Sequence, residues 1–150
     1  MRITRHPRLL PSLALFSCLA LGAGLGFAMV DDPAADVAAL AAAATAADAD
    51  AAAWWEYARG LAAVGRHADA AEACAEVLAR EPYHRGARLE RVLALARASD
   101  ADALYQVLSE LTFSEPALAL NACARSELLP YLEIERFAAL AAEARVQAVD

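Results

Sequence analysis

The chain has 150 residues, enough for one modest domain or two very small ones. Its 13 basic side chains are all Arg, which excludes a lysine Schiff base and a P-loop. Against them stand 20 Asp and Glu, all at or after Asp31, so residues 31–150 lack the positive face a general nucleic-acid binder needs to displace counterions from phosphate.

Residues 1–30 read as an export segment. Arg2, Arg5 and Arg8 form a basic flank, and Leu9 to Val30 then runs without a charge until Asp31, Asp32 and Pro33. A basic flank ahead of an apolar run holds its Arg cluster in the cytoplasm and directs the downstream chain outward. Two outcomes fit. The strongest apolar stretch, Leu13–Leu21, has signal-peptide length, and Gly26 and Ala28 are small enough for a cleavage site. If it is not cleaved, residues 9–30 are long enough to span a bilayer as a retained anchor. Cys18 follows bulky Phe16 and precedes more apolar sequence, which argues against lipid attachment. The chain is therefore expected in the cell envelope, on the extracytoplasmic side, either secreted or anchored in the inner membrane.

From Asp31 onward the residues are mostly Ala, Leu, Arg and Glu, with no alternating β-branched pattern, so the fold class is all-α. Residues 31–50 supply a linker and an N-terminal capping helix over 33–46, with Asp32 as N-cap and Pro33 at the first helical position. Further helices are predicted at 51–64, 67–80, 85–98, 101–113, 116–125 and 134–148. Pro82 and Pro116 close successive helical stretches, and the offset between them sets a candidate repeat period.

The block 51–84 contains Trp54-x2-Tyr57-Ala58-x2-Leu61, then Gly65, Ala70-x3-Cys74, Val77 and Pro82. It resembles the tetratricopeptide repeat (TPR), in which Trp54, Gly65, Ala70 and Pro82 fall in register while Tyr57, Ala58, Leu61 and Cys74 depart in size. Block 85–118 is a degenerate second unit. There Val92, Leu95, Leu104, Leu108, Leu111 and Pro116 keep phase, and Arg88 stands where Trp54 stood. Residues 119–150 form a partial repeat and a C-terminal capping helix; Arg136-Phe137 and Leu140 resemble the terminal unit of bacterial TPR arrays.

The resemblance implies a short right-handed solenoid of antiparallel helix pairs behind the N-terminal hydrophobic helix. In it Trp54, Tyr57, Leu61, Cys74, Val77, Leu78, Leu95, Leu104, Leu108, Leu111 and Phe137 are expected to be buried. It also implies a groove along the first helix of each unit. Carried onto this chain, that groove presents Trp55, Arg59, Leu89, Leu93 and Arg97, with Tyr83 and His84 at the repeat junction. The carboxylate-clamp form of such a groove uses Lys and Asn, which are missing at these positions.

Catalysis has little to start from. His6, His67 and His84 share no ligand spacing, and neither Cys74 nor Cys123 has a neighbouring His. An oxidising compartment would permit a Cys74–Cys123 disulfide. Cys74, however, sits at a core position, and no spacing argument brings the two within reach. That favours free thiols, while the sequence leaves their redox state open. No G-x-S-x-G, H-E-x-x-H or nucleotide-binding loop is present after Val30. The expected function is an exported or membrane-anchored adaptor or assembly factor that binds a protein or peptide, with no enzyme activity, cofactor or metal. The alternative is a helical spacer of the envelope. A small hydrolase is the least favoured.

Overall fold

A computed structural model describes residues 33–149. The export segment, and with it the choice between signal peptide and membrane anchor, lies outside the described residues, as does the expected Asp32 cap.

Eight helices and no strand occur among the described residues: α1 (Pro33–Ala44), α2 (Ala51–Ala63), α3 (His67–Arg80), α4 (Arg85–Arg97), α5 (Ala101–Ser114), α6 (Pro116–Cys123), α7 (Leu129–Leu132) and α8 (Glu135–Gln147). The chain is all-α. None of these helices is long and apolar enough to cross a membrane. Every helix expected from the sequence is present, with ends close to those predicted. The short α7 is an addition, because so brief a helix cannot show a helical period in its sequence.

Start signals are local. Asp50 accepts a hydrogen bond from the Ala53 N–H at 2.9 Å, and Asp100 does the same for Ala103 at 3.0 Å. His84 caps α4 through Nδ1, which accepts from the Ala87 N–H at 3.0 Å. Proline opens α6, where the missing N–H has no helical partner to lose.

The helix bounds recur with the offset that separates Pro82 from Pro116: α2 with α4, and α3 with α5. The turns recur too. Gly65, at φ 79°, ends α2 in the left-handed region, and Ser99, at φ 62°, ends α4 the same way. After each, the next N–H reaches back over the turn, Arg66 to the Leu61 carbonyl at 2.9 Å and Asp100 to Leu95 at 3.1 Å. Buried positions match in pairs: Ala58 with Val92, Leu61 with Leu95, Ala70 with Leu104, Cys74 with Leu108, and Val77 with Leu111.

Packing follows chain order, with α1 on α2, α2 on α3, α3 on α4, α4 on α5 and α5 on α6. The end of the chain folds back, so α8 packs on both α5 and α6. Phe137 is fully buried there, edge-on to Tyr105 at 5.6 Å and Tyr131 at 5.4 Å. Arg136 lies over the Tyr105 ring and pairs with Asp102 at 2.9 Å, tying α8 to α5.

Three core assignments need correction. Trp54, Tyr57 and Leu78 are only half-buried. α1 packs on α2 at Gly60, where an added Cβ would stand 2.8 Å from Leu40 Cδ1. What lies over Trp54 instead is the Arg80 guanidinium, 5.2 Å from the ring centroid.

Candidate functional site

The residues expected to line the groove divide into two groups. Trp55 lies on α2, and its ring meets the His84 imidazole at the start of α4, with centroids 5.0 Å apart and planes tilted by 50°. The backbone makes room for this pair at Gly86, where a Cβ would come within 3.3 Å of both Trp55 Cζ2 and His84 Cε1. His84 Nδ1 is turned to the backbone, where it accepts the Ala87 N–H, so the ring both caps α4 and packs on Trp55. Trp55 is half-buried and rests on the core without being enclosed by it.

Around this pair the surface is open. Tyr83 is 85% exposed, and the Arg88 guanidinium stands 5.5 Å from its ring centroid. Arg88 also donates to the Pro82 carbonyl and to Glu115, which fixes the loop that carries Tyr83 and His84. Arg59 is exposed one turn after Trp55, paired with Glu56 at 3.3 Å. Leu89 is half-buried. Trp55, Arg59, Tyr83, His84 and Leu89 thus belong to the accessible group.

Leu93 and Arg97 form the second group: the first is buried, and the second, though exposed, is engaged by carboxylates of the chain itself. Arg97 donates to Glu90 at 3.1 Å and to Glu127 at 2.6 Å. The Tyr131 hydroxyl donates to the Ala96 carbonyl at 2.9 Å, tying α7 to the end of α4. Glu127's own backbone N–H, followed by Arg97 and Ser126, holds its carboxyl below the usual carboxylate range. Glu127 and Tyr131 therefore meet the expected strip at its Arg97 end. Sequence reasoning missed Glu90, Glu127 and Tyr131 as its neighbours. Glu90 was within reach, since it lies two helical turns before Arg97; nothing local pointed to the other two.

The nucleophiles are withdrawn from solvent. Burial pushes the Cys74 thiol up to about 12, and Glu90 adds to the rise. Burial also raises Cys123, opposed by the charge of Arg145. Both thiols are free, buried and protonated at neutral pH. Among the described residues no group of three or more His, Cys, Asp or Glu is placed to hold a metal ion. The accessible chemistry is that of an aromatic, histidine-bearing surface able to make apolar and hydrogen-bonding contacts.

Comparison of the chain with protein-family models, with curated proteins and with solved structures finds no match in any of the three.

Proposed function

We propose that this chain is a non-catalytic partner-binding module of the TPR type, carried to the cell envelope by residues 1–30. The recurrence at the offset between Pro82 and Pro116 carries this proposal: helix bounds, left-handed turn and buried positions all repeat together. A helix pair of that size cannot bury its apolar face alone, so units stack and leave a continuous surface for a ligand. The basic flank and the uncharged run from Leu9 to Val30 support the envelope placement.

Trp55 would be the anchor. An aromatic ring set against a histidine and bordered by Arg59 and Tyr83 has the composition of an interface hot spot. Affinity capture from envelope extract, using the full chain beside its Trp55→Ala variant, tests this. A bound protein should be lost in the variant, at a cost of about 2 kcal/mol or more of binding. Retention of every partner by the variant would rule out Trp55 as the anchor.

A second function, a helical spacer of the envelope, is favoured by one observation. Glu127 and Tyr131 already engage the Arg97 end of the strip that a ligand would use. A spacer would capture nothing through Trp55.

A further inference from the structure

A second groove lies on the other side of α4. α3 and α5 each pack on α4 and hardly on one another, which leaves a channel between them with α4 as its floor. Two depressions of about 240 and 260 Å³ lie along it, and Arg91 borders both. The first is walled by Leu78 and Val107, the second by Ala71, Ala75 and Ala103. On α4 the residues facing the channel are Arg88, Arg91, Leu95 and Ala98. At 3.6 residues per turn they form a stripe nearly opposite Gly86, Leu89, Leu93 and Arg97. The two surfaces are therefore distinct.

Arg91 is what makes this channel more than an apolar furrow. Ten Arg lie among the described residues, and Arg59, Arg66, Arg80, Arg88, Arg97 and Arg136 form ion pairs. Arg85, Arg125 and Arg145 form none and are exposed, as arginines usually are. Arg91 also forms none, yet it is half-buried and stands midway along the channel. A partly desolvated guanidinium without a carboxylate favours an incoming anion far more than an exposed one does. Acidic side chains border the same channel beyond it, Glu110 at one depression and Glu72 and Asp100 at the other; none of the three is ion-paired among the described residues, and Asp100 also caps α5 through the Ala103 N–H. Unpaired charge along the channel thus runs acidic, basic, acidic.

We infer that the α3–α5 channel binds an amphipathic helical peptide with one carboxylate facing Arg91, apolar side chains a turn to either side, and basic residues toward both ends. Each depression is below the size usual for a small-molecule site, whereas two in line suit successive side chains of one helix. The small side chains of Ala71, Ala75 and Ala103 let a helix backbone approach closely. The charge order selects its polar pattern. This site does not depend on the Trp55 surface.

The test begins with random short peptides displayed on phage and selected against the full chain in mild detergent. Binding of the enriched peptides is then measured by fluorescence anisotropy. The enriched peptides should share a single Asp or Glu flanked at helical spacing by apolar residues. Arg91→Gln should weaken binding about tenfold or more. Exchanging the peptide's acid for its amide should do the same, and the two changes together should cost no more than either alone. Arg91→Glu should accept peptides in which Lys replaces the acid, a recovery that a misfolded variant could not give. Trp55→Ala should bind these peptides within about twofold of the parent chain.

Peptides without a conserved acid, or affinity indifferent to Arg91→Gln, would overturn the inference. So would the absence of any enrichment, or Arg91-dependent self-association in place of peptide binding, since the latter puts a second copy in the channel. If Arg91→Gln has no effect while Trp55→Ala abolishes capture from extract, this inference fails and the proposed function stands.

Discussion

Ser99 holds a left-handed backbone at φ 62°, where its partner position in the preceding helix pair uses Gly65. An L-residue in that region costs about 1–2 kcal/mol, and glycine avoids the cost while giving up some unfolded-state restriction. Ser99→Gly should therefore stabilise the chain by about 0.5–1 kcal/mol in urea unfolding, and Gly65→Ala should destabilise it by a similar amount. Nothing lies within 4 Å of a Cβ built on Gly65, so the loss would be one of backbone conformation alone. His84 offers a second test at this scale. His84→Ala removes the acceptor for the Ala87 N–H and should cost about 1 kcal/mol, whereas His84→Asn, which can cap, should lose much less. Equal losses in the two variants would mean that the ring's packing on Trp55, rather than the cap, is what α4 needs.

At the scale of elements, the helices were legible because their ends carry local chemistry. Asp50 and Asp100 act as side-chain caps, Gly65 supplies the left-handed turn, and Pro116 opens α6. Burial was legible where the helical period repeats, as at Leu61, Val77, Leu104, Leu108 and Leu111. It was not legible at Trp54, Tyr57 and Leu78, whose exposure depends on which neighbouring element covers them. For Trp54 the cover is Arg80, a charged side chain that no hydrophobic pattern reveals. Ala70 tests the close helix contact directly. It is fully buried in α3, and Ala70→Leu should destabilise the fold by about 1–3 kcal/mol, because the added atoms must push packed helices apart. A change below about half a kcal/mol, read from the urea midpoint, would mean that the surroundings of Ala70 have room to give.

At the scale of the whole molecule, six of the ten arginines among the described residues are committed to internal ion pairs, and the candidate sites depend on where those pairs fall. Individual residues of the Trp55 surface could be picked out from repeat position, but its partial closure by Glu127 and Tyr131 could not, because the fold-back of the chain's end is set by long-range packing around Phe137. That closure has a pH signature. The Glu127 carboxyl is held below its ordinary value in the folded chain, so the unfolded state binds its proton more readily. Its contribution is complete above about pH 4.3, the ordinary glutamate value, and is lost as pH falls through the lower folded value. Cys74 acts in the opposite sense. Its raised thiol contributes fully below about pH 8.5, and that contribution is lost as pH rises toward about 12. Stability measured by urea unfolding across pH should thus fall on both sides, and Glu127→Gln should flatten the acid side alone. The variant should be less stable than the parent near neutrality, because Arg97 loses a charged partner, and the two curves should converge in strong acid, where the parent's own carboxyl is protonated. Parallel curves at all pH values would show that the Glu127–Arg97 contact closes the end of α4 without drawing on the carboxylate's charge.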